Sequence, residues 1–135
     1  MGLFGTTAPI LVDINLILQY VTLILLVSGY AKRNHRKIHG YIMMSVFLIT
    51  LGTTLVIMAP RLLGTIEISG PIIIGHALIG ICAMLFGTLF SFRFVTSTRA
   101  GKPLQCGTKN LMRLTFILWL FPVIFGTGTY LALYL

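Results

Sequence analysis

Residues 71–92 read PIIIGHALIGICAMLFGTLFSF, a run with no Lys, Arg, Asp or Glu, and the reading of this run decides the fold. A helix rises ~1.5 Å per residue, so ~20 apolar residues cross a ~30 Å hydrocarbon core. The run therefore predicts a transmembrane helix. It holds His76, the histidine expected to lie within lipid, and the small residues Gly75, Ala77, Gly80, Ala83 and Gly87. Ala83 and Gly87 stand four apart, a spacing that lets helices approach closely where van der Waals contact has to replace the hydrophobic effect. This span is expected at the centre of a bundle, packing through Gly80, Ala83 and Gly87. A ring nitrogen at that depth also needs a polar partner from another helix.

Working outward, three more runs have the same length and character: Pro9 to Tyr30, His39 to Ala59 and Leu114 to Leu135. Together they predict one domain over residues 1–135, an all-α integral membrane four-helix bundle. The chain is 57% hydrophobic and 9% charged, against roughly a quarter charged in soluble domains. That composition excludes a soluble globule. The net charge of +8 does not indicate nucleic acid, because such binding needs a folded polar face on which basic residues cluster. Topology accounts for it instead. Lys32, Arg33, Arg36 and Lys37 lie between the first two runs, and Arg93, Arg99, Lys102, Lys109 and Arg113 flank or fill the connection between the last two. Nine of ten cations thus share one side, with Arg61 opposite. The positive-inside rule makes the crowded side cytoplasmic, in a multi-pass protein of the cell membrane with both termini on the outer side.

The first run is read as a mature helix and not a secretory signal, since it lacks a basic leader and contains Asp13, Asn15 and Gln19. Cys82 in the third span and Cys106 in a basic connection are too far apart to pair. Arg61 and Glu67 are expected to form a weak surface pair. Trp119 is placed in an interfacial aromatic belt and Pro122 is expected to bend the last helix.

Depth suggests where polar groups meet. His76 and Asn15 fall roughly 7–8 Å inside the outer ends of their helices and Tyr130 about 7 Å from the C-terminus. Thr53, Thr127 and Gln19 join them in one expected intramembrane polar cluster, whose members can satisfy one another as packing glue. His35 and His39 stand four apart, as metal ligands on one helical face would. Their neighbours Arg36 and Lys37 repel a metal, so these four residues are read as an interface facing headgroups or a partner. His39 and His76 are separated by more than ~20 Å and cannot share one haem. A haem at His76 with Met58, or copper at His76 with Met58 and Asp13, is the alternative to a chain with no cofactor. Two acids and three histidines supply no nucleophile and base pair or carboxylate pair, so no enzyme is expected. A transporter fits poorly, for want of repeats and broken helices.

The chain resembles the small four-helix membrane proteins typified by CtaM and YozB, which are associated with maturation of haem-copper terminal oxidases. The likeness spans nearly the whole sequence. Asn15 and Gln19 resemble the family's paired amides, Gly29-Tyr30 its Gly-Tyr at the end of the first helix, and His39 with Met43 its His-x-x-x-Met. His76 resembles its third-helix histidine, and Arg113, Thr115, Phe116, Trp119, Gly126 and Tyr130 its last helix. The family's further histidine before that helix is missing from Thr108 to Asn110, and Gln19 stands in place of an asparagine. The resemblance implies an accessory subunit or assembly factor of a membrane metalloenzyme, a haem-copper oxidase or a copper-dependent membrane oxidase or monooxygenase. Its partners would be membrane lipids and other integral subunits of that oxidoreductase complex, with a redox carrier holding haem or copper at His76 as the alternative.

Overall fold

A computed structural model describes residues 5–65, 70–104 and 107–134; Glu67, Cys106 and Leu135, on which some expectations fall, lie outside them. The regular elements among the described residues are all helical: α1 (Ile10–Ala31), α2 (Arg36–Thr53), a π-helical turn (Thr54–Met58), α3 (Ala59–Thr65), α4 (Pro71–Arg99) and α5 (Lys109–Tyr134). The stretch from Arg36 to Gly64 runs as one span, so four helices are long and apolar enough to cross a bilayer. The protein is a multi-pass membrane protein with the fold of a four-helix bundle. The end that holds α1's last turn and α2's first is called the basic end, and the other the far end.

The spans run past the boundaries their apolar runs suggest. The second starts three residues earlier, at Arg36, and continues to Thr65 through Pro60. Proline lacks a donor, and its ring collides with the carbonyl four residues back. The chain widens just before it, and the amide of Ala59 donates to the carbonyl of Thr54, five residues back. That wider turn lets the helix accommodate Pro60, where the residues alone suggested a stop. At the basic end α4 continues to Arg99 and α5 begins at Lys109, because helix formation does not end where hydrocarbon does. α5 also runs without interruption through Pro122.

Each span touches two neighbours. α1 packs on α2 and α5, α4 packs on α2 and α5, and among the described residues α1 and α4 do not meet. The third span is therefore one corner of a ring and not its centre, which is what four antiparallel helices of similar length with short connections produce. Its small residues divide accordingly. At Gly87 an added Cβ would lie 2.7 Å from the Phe47 ring and 2.9 Å from Trp119, so two aromatic rings fill the place of a side chain, whereas Gly80 has open space beside it.

The apolar core sits toward the basic end, where Leu26, Val46, Ala83 and Trp119 meet with Met43, Phe47 and Phe116 against them. Trp119 is inside this core, not in an interfacial belt, and its indole N–H donates to the carbonyl of Ala83 at 3.1 Å. The earlier start of α5 explains the difference, since it puts Trp119 ten residues, roughly 15 Å, into the helix.

Candidate functional site

Polar groups collect in the half of the bundle toward the far end, in two tiers. The outer tier is built around Asp13, which lies in the first turn of α1 and is 0% exposed. The Tyr130 hydroxyl on α5 donates to Asp13 Oδ1 at 2.6 Å. A hydroxyl has one proton, so the 3.0 Å contact between Tyr130 Oη and Thr6 Oγ1 is donated by Thr6. Thr6 in turn accepts from the amide of Ala8 at 3.4 Å. Three donors thus point one after another toward a buried carboxyl group, and the segment before α1 is pinned over the end of α5.

The inner tier holds Asn15, Gln19 and His76. Asn15 and Gln19 stand one turn apart on α1. An added Cβ on Gly126 of α5 would lie 2.7 Å from Gln19 Oε1, so the amide occupies a notch only glycine leaves open. The preceding residue, Phe125, brings its ring to 6.1 Å from that of His76 on α4. Adjacent residues of α5 thereby flank groups on the two helices that do not touch each other. Asn15 Oδ1, Gln19 Oε1 and His76 Nδ1 are all buried with no hydrogen-bond partner among the described residues. Buried polar atoms of this kind call for a partner from water or a bound molecule.

The five residues expected in one polar cluster are distributed as follows. Asn15 and Gln19 belong to the inner tier and Tyr130 to the outer. Thr53 is buried but donates to the carbonyl of Thr50 at 3.0 Å. Thr127 donates to the carbonyl of Val123 at 2.8 Å and lies 3.4 Å from the Tyr20 hydroxyl. Of the residues considered for copper, Asp13 binds Tyr130, which is five residues from the Phe125 ring beside His76, roughly 7.5 Å along the helix. Among the described residues no three His, Cys, Asp or Glu side chains come together. Met58 lies in the π-helical turn.

At the basic end His39 has a role the residues did not signal. Its Nδ1–H donates to the carbonyl of Gly29 at 2.7 Å. The amide of Arg33, which would continue α1's ladder to that carbonyl, bonds to Tyr30 instead. His39 therefore caps α1, and the carbonyl acceptor places the ring proton on Nδ1. His35 precedes α2 with an exposed side chain, and Arg36 Nη1 donates to the carbonyl of Leu104 at 3.4 Å. Gly40 packs on Phe94, which is roughly 27 Å along α4 from His76. His39 and His76 thus occupy opposite halves of the bundle.

No protein-family model, characterised protein or solved structure matches the chain.

Thr6, Phe125 and Gly126 as elements of these tiers were missed in the sequence. Gly126 alone left a signal there, as a glycine at a depth close to that of Gln19.

Proposed function

We propose that this chain is a non-catalytic accessory subunit or assembly factor of a membrane metalloenzyme, a haem-copper oxidase or a copper-dependent oxidase or monooxygenase, and that it works by helix packing. The supporting observation is the outward face of α4. Leu78, Ile81, Leu85 and Phe92 are exposed along it, within about 60° of one another around the helix axis. An apolar helix face that the rest of the bundle leaves uncovered offers another transmembrane helix a surface for van der Waals packing. The resemblance to oxidase-maturation proteins supplies the class of partner, and the charge distribution supplies the orientation, with the basic end in the cytosol.

Extraction from native membranes in mild detergent tests this. The expected result is co-migration with larger integral chains that carry haem or copper, weakened by the double change Ile81→Ala and Leu85→Ala with the fold retained. Migration only as a free monomer overturns the reading.

One observation favours a second reading, a redox carrier holding haem or copper at His76: Nδ1 of that residue is buried and unbonded. A stoichiometric Soret band, or stoichiometric copper, in the pure chain that disappears on His76→Ala would put this reading first.

A further inference from the structure

The basic end has cations and no carboxylate of its own. Nine Lys and Arg residues lie there, while Asp13 opens α1 at the far end and Glu67 is tied by sequence to the connection between α3 and α4. The first turn of α2 sharpens the imbalance. It carries Arg36 and Lys37 and no acid, at the helix end where the backbone dipole is already positive. An anion at this position would oppose both charges.

The surface beside that turn is hollowed. One hollow of about 240 Å³ is lined by Lys37, Ser97, Thr98 and Lys102. A second, of about 190 Å³, is lined by Tyr41, Met44, Phe94, Val95 and Arg99, and Thr98 borders both. Tyr41 and Phe94 lie one turn deeper toward the far end than Lys37 and Thr98. The two hollows therefore make a groove between α2 and α4 that is cationic and hydroxyl-lined at its mouth and apolar below.

The walls of the groove are held in place. α4 ends in a left-handed turn at Gly101 (φ 60°), with the amide of Lys102 donating to Ser97 at 3.1 Å and that of Gly101 to Thr98 at 3.3 Å. This double closure fixes where Lys102 leaves the helix. Arg36 clips the following connection through Leu104. Below, Phe94 packs on Gly40 and meets the Tyr41 ring edge-on at 5.1 Å.

We propose that this groove binds one anionic glycerophospholipid, with its phosphate at Lys37, Lys102 and the Ser97 hydroxyl and an acyl chain over Tyr41, Met44, Phe94 and Val95. Charge complementarity selects the head, and the apolar floor selects a lipid over free phosphate. Basic pockets between transmembrane helices recognise such headgroups.

The test uses the full chain in a neutral maltoside detergent and native mass spectrometry to count bound molecules during titration. The probes are dioleoylphosphatidylglycerol, dioleoylphosphatidylcholine and inorganic phosphate. The expected result is one phosphatidylglycerol retained per chain, on the order of tenfold more tightly than phosphatidylcholine. Lys37→Gln with Lys102→Gln should remove that preference, and Lys109→Gln with Arg113→Gln, an equal loss of charge outside the groove, should keep it. Val95→Phe, which fills the apolar hollow without changing charge, should weaken phosphatidylglycerol severalfold. The proposal is overturned by equal losses in the two charge variants, which would mean diffuse surface attraction. It is also overturned by no preference between the two lipids, by unchanged binding to Val95→Phe, or by inorganic phosphate competing as well as the lipid does.

Discussion

At the scale of single residues, the buried Asp13 determines most of what happens at the far end. A carboxyl group removed from water has to be bonded, and Tyr130 meets it at 2.6 Å. Tyr130→Phe keeps the ring and removes the donor, so the thermal midpoint in detergent should fall by roughly 5 °C, with Thr6→Val causing a smaller drop. An unchanged midpoint for both variants would show that the relay carries no stability. Asp13 was read from the residues as a candidate copper ligand with His76 and Met58, and no spacing rule singles out a tyrosine more than a hundred residues away. The same limit applies to glycines. Gly40 and Gly80 look alike in the sequence, yet a Cβ on Gly40 would enter the Phe94 ring and one on Gly80 would meet nothing. Gly40→Ala is expected to cost about 1–3 kcal/mol by overpacking, and Gly80→Ala to stay within about 0.5 kcal/mol in the isolated chain, both read from reversible unfolding.

At the scale of elements, two ends were set by contacts that a hydropathy run does not contain. α1 is closed by His39, ten residues further on, through the Gly29 carbonyl. In His39→Ala the amides following that turn should exchange with deuterium roughly tenfold faster, the equivalent of losing about 1 kcal/mol of local hydrogen bonding. His39→Asn, which keeps an N–H, should restore part of the protection. The second span passes Pro60 by widening into a π turn, where the apolar run alone suggested a stop. Pro60→Ala returns the missing donor and removes the ring. Backbone chemical shifts over 54–58 should then move to those of a regular α-helix, and persistence of the π pattern would assign the turn to packing on α1 instead.

At the scale of the whole molecule, the bundle is polarised: an apolar core around Trp119 toward the basic end and partially satisfied polar tiers toward the far end. Orientation is open to direct measurement. In a background lacking Cys82 and Cys106, a membrane-impermeant maleimide should label Thr7→Cys in intact cells and Lys102→Cys only in inverted vesicles. The reverse pattern would place the basic end outside and remove the cytosolic assignment from the proposed function.

The number of spans, their apolar character, the gathering of nine cations at one end and the shared end of the two termini were all legible in the residues. Each of these depends on summed hydropathy along a segment or on the parity of crossings, quantities that add up along the chain. Which helices touch, which glycine yields its place to a ring, why Asp13 bonds Tyr130 while Asn15 Oδ1 and Gln19 Oε1 find no donor among the described residues, and where α1 is capped were decided only by the tertiary structure. Those outcomes depend on the rotation and register of one helix against another. A turn of about 100° or a slide of ~1.5 Å changes every such pair while leaving the hydropathy of each span as it was.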